Sequence, residues 1–292
     1  MPAISLVVCL YRQRDLLERL LQKAGGCYDE LVVSHDGPDV EGVKKTVEAA
    51  GGRFFEHPRI GSLEGQSPAA WGWAGHDWIL RLDADEFPSE EMKVWLKEFR
   101  QAAEPAAEVS GYTCIWPLWN GRREVTKKIS PGRIFLFHKQ RVRFFGLIEQ
   151  VPLPDGIYQA REFVLHHQPK RKSYGLHNVL VRKQAYHWRD LISQSLLGKP
   201  TDLPCWRWNS EVWPLGWEQI RRQPVRTAFK RLIKGTFAGL REQWKTEHRL
   251  FPAAALSGPL HQALICLKYC QLRRRAGRAR REGPACGTTP SR

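Results

Sequence analysis

Apolar and polar positions in the first hundred residues follow two alternating periods. Short β-branched apolar runs predict buried strands at 4–10, 30–34, 53–56 and 77–82. Apolar residues spaced three and four apart predict helices at 15–24, 43–50, 66–76 and 89–103. Strands and helices that alternate in this way indicate a largely parallel α/β sheet.

The pattern changes after residue 103. Three strand-like runs, at 111–116, 133–138 and 163–167, have no helical pattern between them and predict an antiparallel addition to the sheet. Beyond them the spacing predicts helices at 174–197, 216–234, 236–248 and 258–275. The predicted fold class is therefore α/β, with a mixed, Rossmann-like sheet, helices on both faces and a mostly helical basic C-terminal region.

This pattern also predicts how the chain is divided. We expect an α/β domain over residues 1–172 and a helical basic region over 173–275. Residues 276–292 contain arginines followed by Gly, Pro, Thr and Ser, a composition that predicts a disordered tail.

An acidic cluster follows the fourth predicted strand. The apolar run at 78–82 leads directly into Asp83, Asp85 and Glu86. Ligands of open α/β sheets bind beyond the carboxyl ends of the strands, and neighbouring carboxylates repel each other unless a cation lies between them. A hard divalent ion such as Mg²⁺ suits such oxygen ligands. The alternative is a solvated acidic turn before a helix that Ser89 caps.

The charge distribution separates the two halves of the chain. The net charge is +16, yet residues 1–150 contain 20 Lys and Arg against 21 Asp and Glu, whereas residues 151–292 contain 26 against 9. The basic half also contains Trp188, Trp206, Trp208, Trp213, Trp217 and Trp244. This combination suits an anionic lipid surface or a nucleic acid, and a solvated basic face with core tryptophans is the third interpretation.

Composition limits the class of protein. With 42% hydrophobic and 26% charged residues the chain has an ordinary globular composition, and no apolar run is long enough to span a bilayer. The N-terminal stretch has neither the basic lead-in nor the cleavage site of a signal peptide. The seven cysteines are scattered, so we expect reduced thiols in a cytoplasmic protein.

Several segments together resemble the family-2 glycosyltransferases with a GT-A fold. Within that family they look closest to the bacterial lipopolysaccharide-core glucosyltransferase-like branch, over roughly residues 3–190. The segments that resemble the family's motifs are Leu10-Tyr11-Arg12, Val32 to Gly37, Gly65-Gln66, Trp78 to Glu86, Arg143 to Glu149 and Val164 to His167.

The resemblance implies an inverting glycosyltransferase that moves a sugar from a nucleotide-sugar donor to a cell-surface glycan or a lipid-linked acceptor, assisted by Mg²⁺ or Mn²⁺. It implies a nucleotide-binding half over 1–103 and an acceptor half over 104–172. The donor contacts that it implies are Leu10, Tyr11, Arg12, Asp36, Gln66, Asp83 and Ala84. The metal ligands that it implies are Asp85, His166 and His167.

Two catalytic residues are expected, Asp83 and Glu149. Glu149 follows an apolar Phe-Phe-Gly-Leu-Ile segment, which would desolvate its carboxylate and raise its pKa toward that of a working base. The alternative is that Glu149 only pairs with Arg141 or Arg143.

Two other functions stay open at this point. The family pattern is broken at His35, Pro38, Pro68 and Ile148, which keeps open a catalytically silent sugar-nucleotide binder. The basic half keeps open a nucleic-acid-binding protein, although no helix-turn-helix, zinc-finger or RNP signature supports it. For an enzyme of this branch we expect a cytoplasmic protein, peripheral on the inner face of the membrane and in contact with its anionic surface.

Overall fold

The computed structural model describes residues 1–61, 63–127, 132–144, 151–171, 173–181, 183–198 and 216–281. The first part of the chain alternates strands and helices. Its elements are β1 (Ile4–Leu10), α1 (Arg14–Ala24), β2 (Glu30–Asp36), α2 (Val43–Ala49), β3 (Arg53–His57), α3 (Leu63–Trp73), β4 (Trp78–Arg81), β5 (Glu86–Pro88), α4 (Glu90–Gln101), β6 (Val109–Ile115), β7 (Arg133–His138), β8 (Val142–Arg143), β9 (Leu153–Pro154) and β10 (Ile157–His167).

Eight of these strands form one mixed sheet in the order β3-β2-β1-β4-β7-β6-β10-β5. The first four predicted strands pair in parallel, as the alternating pattern indicated. β7 is antiparallel to both β4 and β6, whereas β10 is parallel to β6. The segment predicted as the third strand, 163–167, pairs antiparallel with β5 over Leu165 to His167 and parallel with β6 at Val164, so the antiparallel prediction is confirmed for one of its two neighbours. The antiparallel β8–β9 pair lies between β7 and β10 in the sequence. The chain therefore reverses its direction between β8 and β9, before β10 begins.

The sheet has a hydrophobic core on each face. Because side chains of a strand alternate between faces, Leu6 and Val8 of β1 pack with α1, α2 and α4, whereas Val7 and Cys9 pack with α3. At the start of α4 the Ser89 hydroxyl accepts a hydrogen bond from the Met92 amide, which confirms the predicted cap. The predicted α/β class with helices on both faces is confirmed.

The C-terminal region is helical, but its breaks differ from the prediction. Its helices are α5 (Leu176–Leu180), α6 (Lys183–Leu196), α7 (Gly216–Arg222), α8 (Pro224–Glu247) and α9 (Pro252–Arg281). The break predicted near residue 235 instead falls at Gln223. Pro224 lacks an amide hydrogen and fits best in a first helical turn, so α8 begins there. Pro252 begins α9 for the same reason. α9 also runs past its predicted end at residue 275.

The described residues form two compact units. One comprises residues 1–175 and 240–251, and the other comprises 176–198, 216–239 and 252–281, apart from the few positions left out within these ranges. The three-part division at residues 172 and 275 stays a prediction. None of the described helices is both long and apolar enough to cross a membrane.

Close strand packing generates a stability prediction at Gly111 of β6. A Cβ atom there would lie 2.5 Å from the Leu136 carbonyl oxygen and 2.8 Å from the Phe137 Cα atom, so backbone would have to move. We expect Gly111→Ala to lower the free energy of unfolding by about 1–3 kcal/mol. Urea denaturation measures this loss.

The matched control is Gly72→Ala in α3, where nothing lies within 4 Å of the added Cβ. Alanine is the better helix former, so this change should stabilise the protein by up to about 1 kcal/mol. An equal response of the two variants would contradict the packing described for β6.

Candidate functional site

The acidic cluster lies at the carboxyl end of β4, but Asp83 and Glu86 are not bare carboxylates. Arg133, at the start of β7, forms an ion pair between its Nη2 and Asp83 Oδ2 at 3.1 Å. Its Nε lies 3.0 Å from Glu86 Oε1, and Glu86 is fully buried. Glu86 Oε2 also accepts a hydrogen bond from the Asp83 amide at 2.8 Å. The repulsion predicted between unbalanced carboxylates is therefore relieved at Asp83 by a guanidinium.

Burial and charge act in opposite directions on these groups. Burial alone would lower the pKa of Arg133, but Glu86 and Asp83 outweigh it, and the pKa rises. Burial would raise the pKa of Asp83, but the charges of Arg133 and Arg81 reverse the shift and lower it. Burial raises the pKa of Glu86, and Arg133 offsets only part of that rise. Asp83 and Arg133 therefore stay charged at neutral pH.

Asp85 lies beside the second predicted ligand, His167, at the end of β10. Asp85 Oδ1 and His167 Nε2 are 3.7 Å apart, and each side chain is mostly buried. The His167 ring stacks on Trp116 with centroids 4.3 Å apart, and burial lowers the pKa of His167 to about 4. The ring is therefore neutral at pH 7 and has a lone pair to offer a cation. The Gln168 amide donates to the Asp85 carbonyl at 2.8 Å, which ties β10 to this loop.

Asp85 and His167 fit part of a metal site. No group of three or more His, Cys, Asp and Glu side chains is arranged to hold a metal within the part of the chain that the structure describes. Mg²⁺ and similar ions often take only one or two protein ligands and fill the other positions with water and substrate phosphates. The oxygen and nitrogen donors of this pair suit that mode of binding.

His166, the third predicted metal ligand, has a different partner. Its Nδ1 lies 2.7 Å from Glu124 Oε1, a hydrogen bond that joins residues 42 positions apart in the chain. Consecutive strand residues point to opposite faces of a sheet, which separates this side chain from that of His167. The structure therefore does not bring His166 and Asp85 together as a ligand set.

The sequence did not single out Glu124. It lies just outside the sheet, where an isolated bridge pairs it with Trp119 around a turn that the Asn120 side chain stabilises. Beside it is an open cavity of about 550 Å³, lined by Arg123, Glu124, Val125, Arg249, Leu250 and Phe251. No local motif marks these residues, because the segments around 124 and 250 meet only in the folded chain.

Several predicted donor contacts have buried side chains. Leu10 and Gln66 are fully buried, and Ala84 is nearly so. Leu10 packs in the core, which leaves its backbone as the part that can reach a ligand. Gln66 Oε1 accepts a hydrogen bond from Ser34, and its buried Nε2 has no hydrogen-bond partner within the described residues.

Asp36 holds a loop together. Its two carboxylate oxygens accept hydrogen bonds from the amides of Ile60 at 2.7 Å and Gly61 at 2.9 Å. Arg59, from the same loop, lies 3.7 Å from Asp36 Oδ2 and places its guanidinium 3.5 Å from the centre of the Tyr11 ring. The sequence did not single out Arg59, because its contact with Tyr11 depends on how this loop folds over β1.

Arg12 and Glu149 are the two remaining predicted residues. Arg12 adopts a positive φ of 50°, a conformation that is uncommon for a residue other than glycine. Glu149 lies in 145–150, outside the described residues, as does Ile148. The arginines that were its alternative partners are engaged elsewhere: Arg143 lies 3.0 Å from Asp155, and Arg141 lies 3.6 Å from Glu104.

Comparisons with known proteins give distant structural similarity only. No protein-family model matches the chain, and no curated protein matches it. Similar solved structures include a mycobacterial protein (16% identity, 69% of this chain and 76% of that one, TM-score 0.41) and S. aureus TarS (10%, 90% and 55%, 0.43). A third is the mannosyltransferase PcManGT from Pyrobaculum calidifontis in complex with GDP-Man and Mn²⁺ (13%, 92% and 86%, 0.42). Similarity at this level does not assign a function to the chain.

The ion pair of Arg133 generates a stability prediction. Arg133→Met would remove the guanidinium that pairs with Asp83 and Glu86, and we expect a loss of about 3–5 kcal/mol in the free energy of unfolding. Adding Glu86→Gln should recover part of that loss, since a neutral amide replaces a buried carboxylate that would otherwise have to take up a proton on folding. Urea denaturation of the single and double variants measures the coupling.

The control is Arg53→Met, which removes an arginine that pairs with Glu30 at 2.9 Å but is half exposed. Exposed pairs contribute at most about 1 kcal/mol. If Arg133→Met cost no more than Arg53→Met, Arg133 would not be compensating a buried charge.

Proposed function

We propose that this protein is an inverting, divalent-metal-assisted glycosyltransferase with a GT-A fold, of the lipopolysaccharide-core glucosyltransferase-like branch. Its donor is a nucleotide sugar, and its acceptor is a cell-surface glycan or a lipid-linked sugar. The observation that carries the proposal is the pair of Asp85 and neutral His167, whose donor atoms lie 3.7 Å apart at the carboxyl end of β4. We further propose a cytoplasmic location at the inner face of the membrane.

Asp85 and His167 are the residues that would hold Mg²⁺ or Mn²⁺. Two donors at about 2.1 Å from one ion can be no more than about 4.2 Å apart, and their separation meets that limit. When bound, the ion would neutralise the leaving diphosphate as a Lewis acid. Asp83 stays a candidate donor contact, and Arg133 is its positioning residue because it fixes the carboxylate by an ion pair.

The nucleoside half of the donor would lie over the ends of β1 and β2. The Arg59 guanidinium stacks over the Tyr11 ring, and this pair would form the surface on which a base lies. The Asp36 carboxylate holds the loop that positions Arg59. Arg12 and the backbone of Leu10 and Ala84 stay in the proposed contact set. The unpaired Gln66 amide supports a polar contact in the same region.

The acceptor hydroxyl needs a base, and Glu149 is the candidate for that role. Glu149 would take the proton of the acceptor hydroxyl as its oxygen bonds to the anomeric carbon and the bond to diphosphate breaks. His166, which is hydrogen-bonded to Glu124 at 2.7 Å, points to the opposite face of the sheet from His167 and is not placed in this step. The cavity beside Glu124 contains Arg123 and Arg249, so an anionic group fits it.

One observation favours a second candidate, the catalytically silent sugar-nucleotide binder. Arg133 balances Asp83 and Glu124 engages His166, so among the predicted ligands that the structure describes it is Asp85 and His167 whose donor atoms lie close together. A binder of this kind would retain the donor pocket without turning the donor over.

The metal pair generates the first functional prediction. Asp85→Asn removes the charge that would hold the ion, and we expect at least about a 100-fold loss of turnover. The measurement is nucleotide release from a panel of UDP-, GDP- and dTDP-sugars with Mn²⁺ and without it. Asp77→Asn, at an exposed carboxylate before β4, is the control and should retain activity.

Three outcomes separate the candidates. Wild-type turnover that depends on Mn²⁺ and on Asp85 supports the enzyme. Donor binding without turnover identifies the silent binder. No binding of any donor by the folded protein would exclude both.

The proposed base generates the second functional prediction. Glu149→Gln should lower kcat by about 100-fold or more, with donor KM unchanged, because it removes the group that takes the acceptor proton without touching the donor. Glu124→Gln, measured in parallel, is the comparison and should retain kcat. Loss of kcat in Glu124→Gln but not in Glu149→Gln would contradict the assignment of the base to Glu149.

A further inference from the structure

An apolar stripe is exposed along the first part of α8. It consists of Val225, Phe229, Ile233 and Phe237, which are 42%, 60%, 53% and 68% exposed. Residues four apart lie on one face of a helix, so the four side chains form a continuous band. A globular protein rarely leaves two phenylalanines and an isoleucine in a row to water, and such a patch marks an interaction surface.

A basic stripe runs alongside it. Arg222, at the end of α7, is followed at the same four-residue spacing by Arg226, Lys230 and Lys234. Within α8 each basic residue comes directly after a member of the apolar stripe, which places the two bands about 100° apart around the helix, since 3.6 residues make one turn. All four basic residues line an open cavity of about 590 Å³, together with Gln219, Gln223 and Thr227.

Few acidic groups neutralise this surface. The sequence from Pro224 to Gly239 contains no Asp or Glu. Arg222 pairs with Glu218 at 3.0 Å, an exposed pair that contributes little. Among the described residues no ion pair is found for Arg226, Lys230 or Lys234.

We propose that this face of α8 docks on an anionic phospholipid bilayer. The apolar stripe enters the boundary between headgroups and acyl chains, and the basic stripe with its cavity lies against the lipid phosphates. A helix with an apolar band beside a Lys- and Arg-rich band is the kind that lies in the plane of a membrane interface. Anionic lipid adds attraction for each basic residue near the surface.

The charge and the apolar stripe of this surface favour an anionic bilayer over the other possible partners. A second copy of the chain would bring like-charged bands together, which opposes self-association. Nucleic acid would accept the basic stripe, but it offers no apolar phase in which to bury Val225 and Ile233. The sequence predicted membrane contact through tryptophans. Trp206, Trp208 and Trp213 lie outside the described residues. Trp244, near the end of α8, is 58% exposed, and the stripe along the first part of the helix consists of Phe, Ile and Val.

The test is co-sedimentation of the full chain with vesicles of phosphatidylglycerol and phosphatidylcholine in equal parts, compared with vesicles of phosphatidylcholine alone. We expect binding to the anionic vesicles that weakens as salt is added. Phe229→Ser/Phe237→Ser should lower the partition coefficient by at least about tenfold, because two exposed rings lose their apolar phase. Lys230→Glu/Lys234→Glu should lower it by a similar factor at low salt.

The matched control is Val94→Ser/Lys45→Glu. It removes an apolar side chain of α4 that is 55% exposed and reverses the charge of an exposed lysine of α2, so both changes are on helices other than α8. This variant should bind vesicles as the wild type does. Thermal unfolding verifies that all variants fold, since every changed side chain is exposed.

Three results would overturn the proposal. One is that the wild-type protein does not bind anionic vesicles. Another is α8 variants that bind vesicles as tightly as the control variant does. The third is a wild-type dimer in sedimentation equilibrium that Phe229→Ser/Phe237→Ser dissociates without changing vesicle binding, which would assign the stripe to a second copy. Nucleotide-sugar binding by Phe229→Ser/Phe237→Ser is measured as well. If it is retained, a loss of vesicle binding does not come from damage to the proposed catalytic site.

Discussion

The guanidinium of Arg133 is the interaction on which the candidate site depends. It faces Asp83 at 3.1 Å and the fully buried Glu86 at 3.0 Å, where β4 ends and β5 begins. A carboxylate as buried as that of Glu86 is unfavourable without a counter-charge, so this one side chain lets an acidic loop lie against an apolar core. Because Arg133 opens β7, the antiparallel neighbour of β4, the sheet's pairing determines the geometry of the loop.

The same constraint leaves Asp85 in a different situation from Asp83. Asp83 has Arg133 as a fixed positive partner, and Asp85 Oδ1 lies 3.7 Å from Nε2 of His167, which burial keeps neutral. A carboxylate oxygen and a neutral imidazole nitrogen can both donate to a divalent cation, and this is the physical basis of the proposed metal site. The stack of His167 on Trp116 and the hydrogen bond from the Gln168 amide hold both groups in place.

The basic half of the chain includes the proposed docking surface. There Arg226, Lys230 and Lys234 follow α8 beside an exposed apolar stripe, in a compact unit other than that of the acidic loop. A glycosyltransferase with a lipid-linked acceptor would benefit from a surface that holds it near the bilayer, because binding to a surface raises the local concentration of the acceptor.

The sequence by itself determined the α/β class, the parallel core of β1 to β4 and the position of the acidic loop, because these follow from local periodicity and from strand ends. It also placed Asp85 and His167 among the candidate ligands, through the family resemblance. Only the tertiary structure decided which charges meet. The partner of Asp83 lies 50 residues away, and that of His166 lies 42 residues away, so neither Arg133 nor Glu124 has a local signal. The parallel direction of β10 and the exposed stripe of α8 were likewise decided by packing, since the sequence shows an apolar pattern but not whether anything covers it.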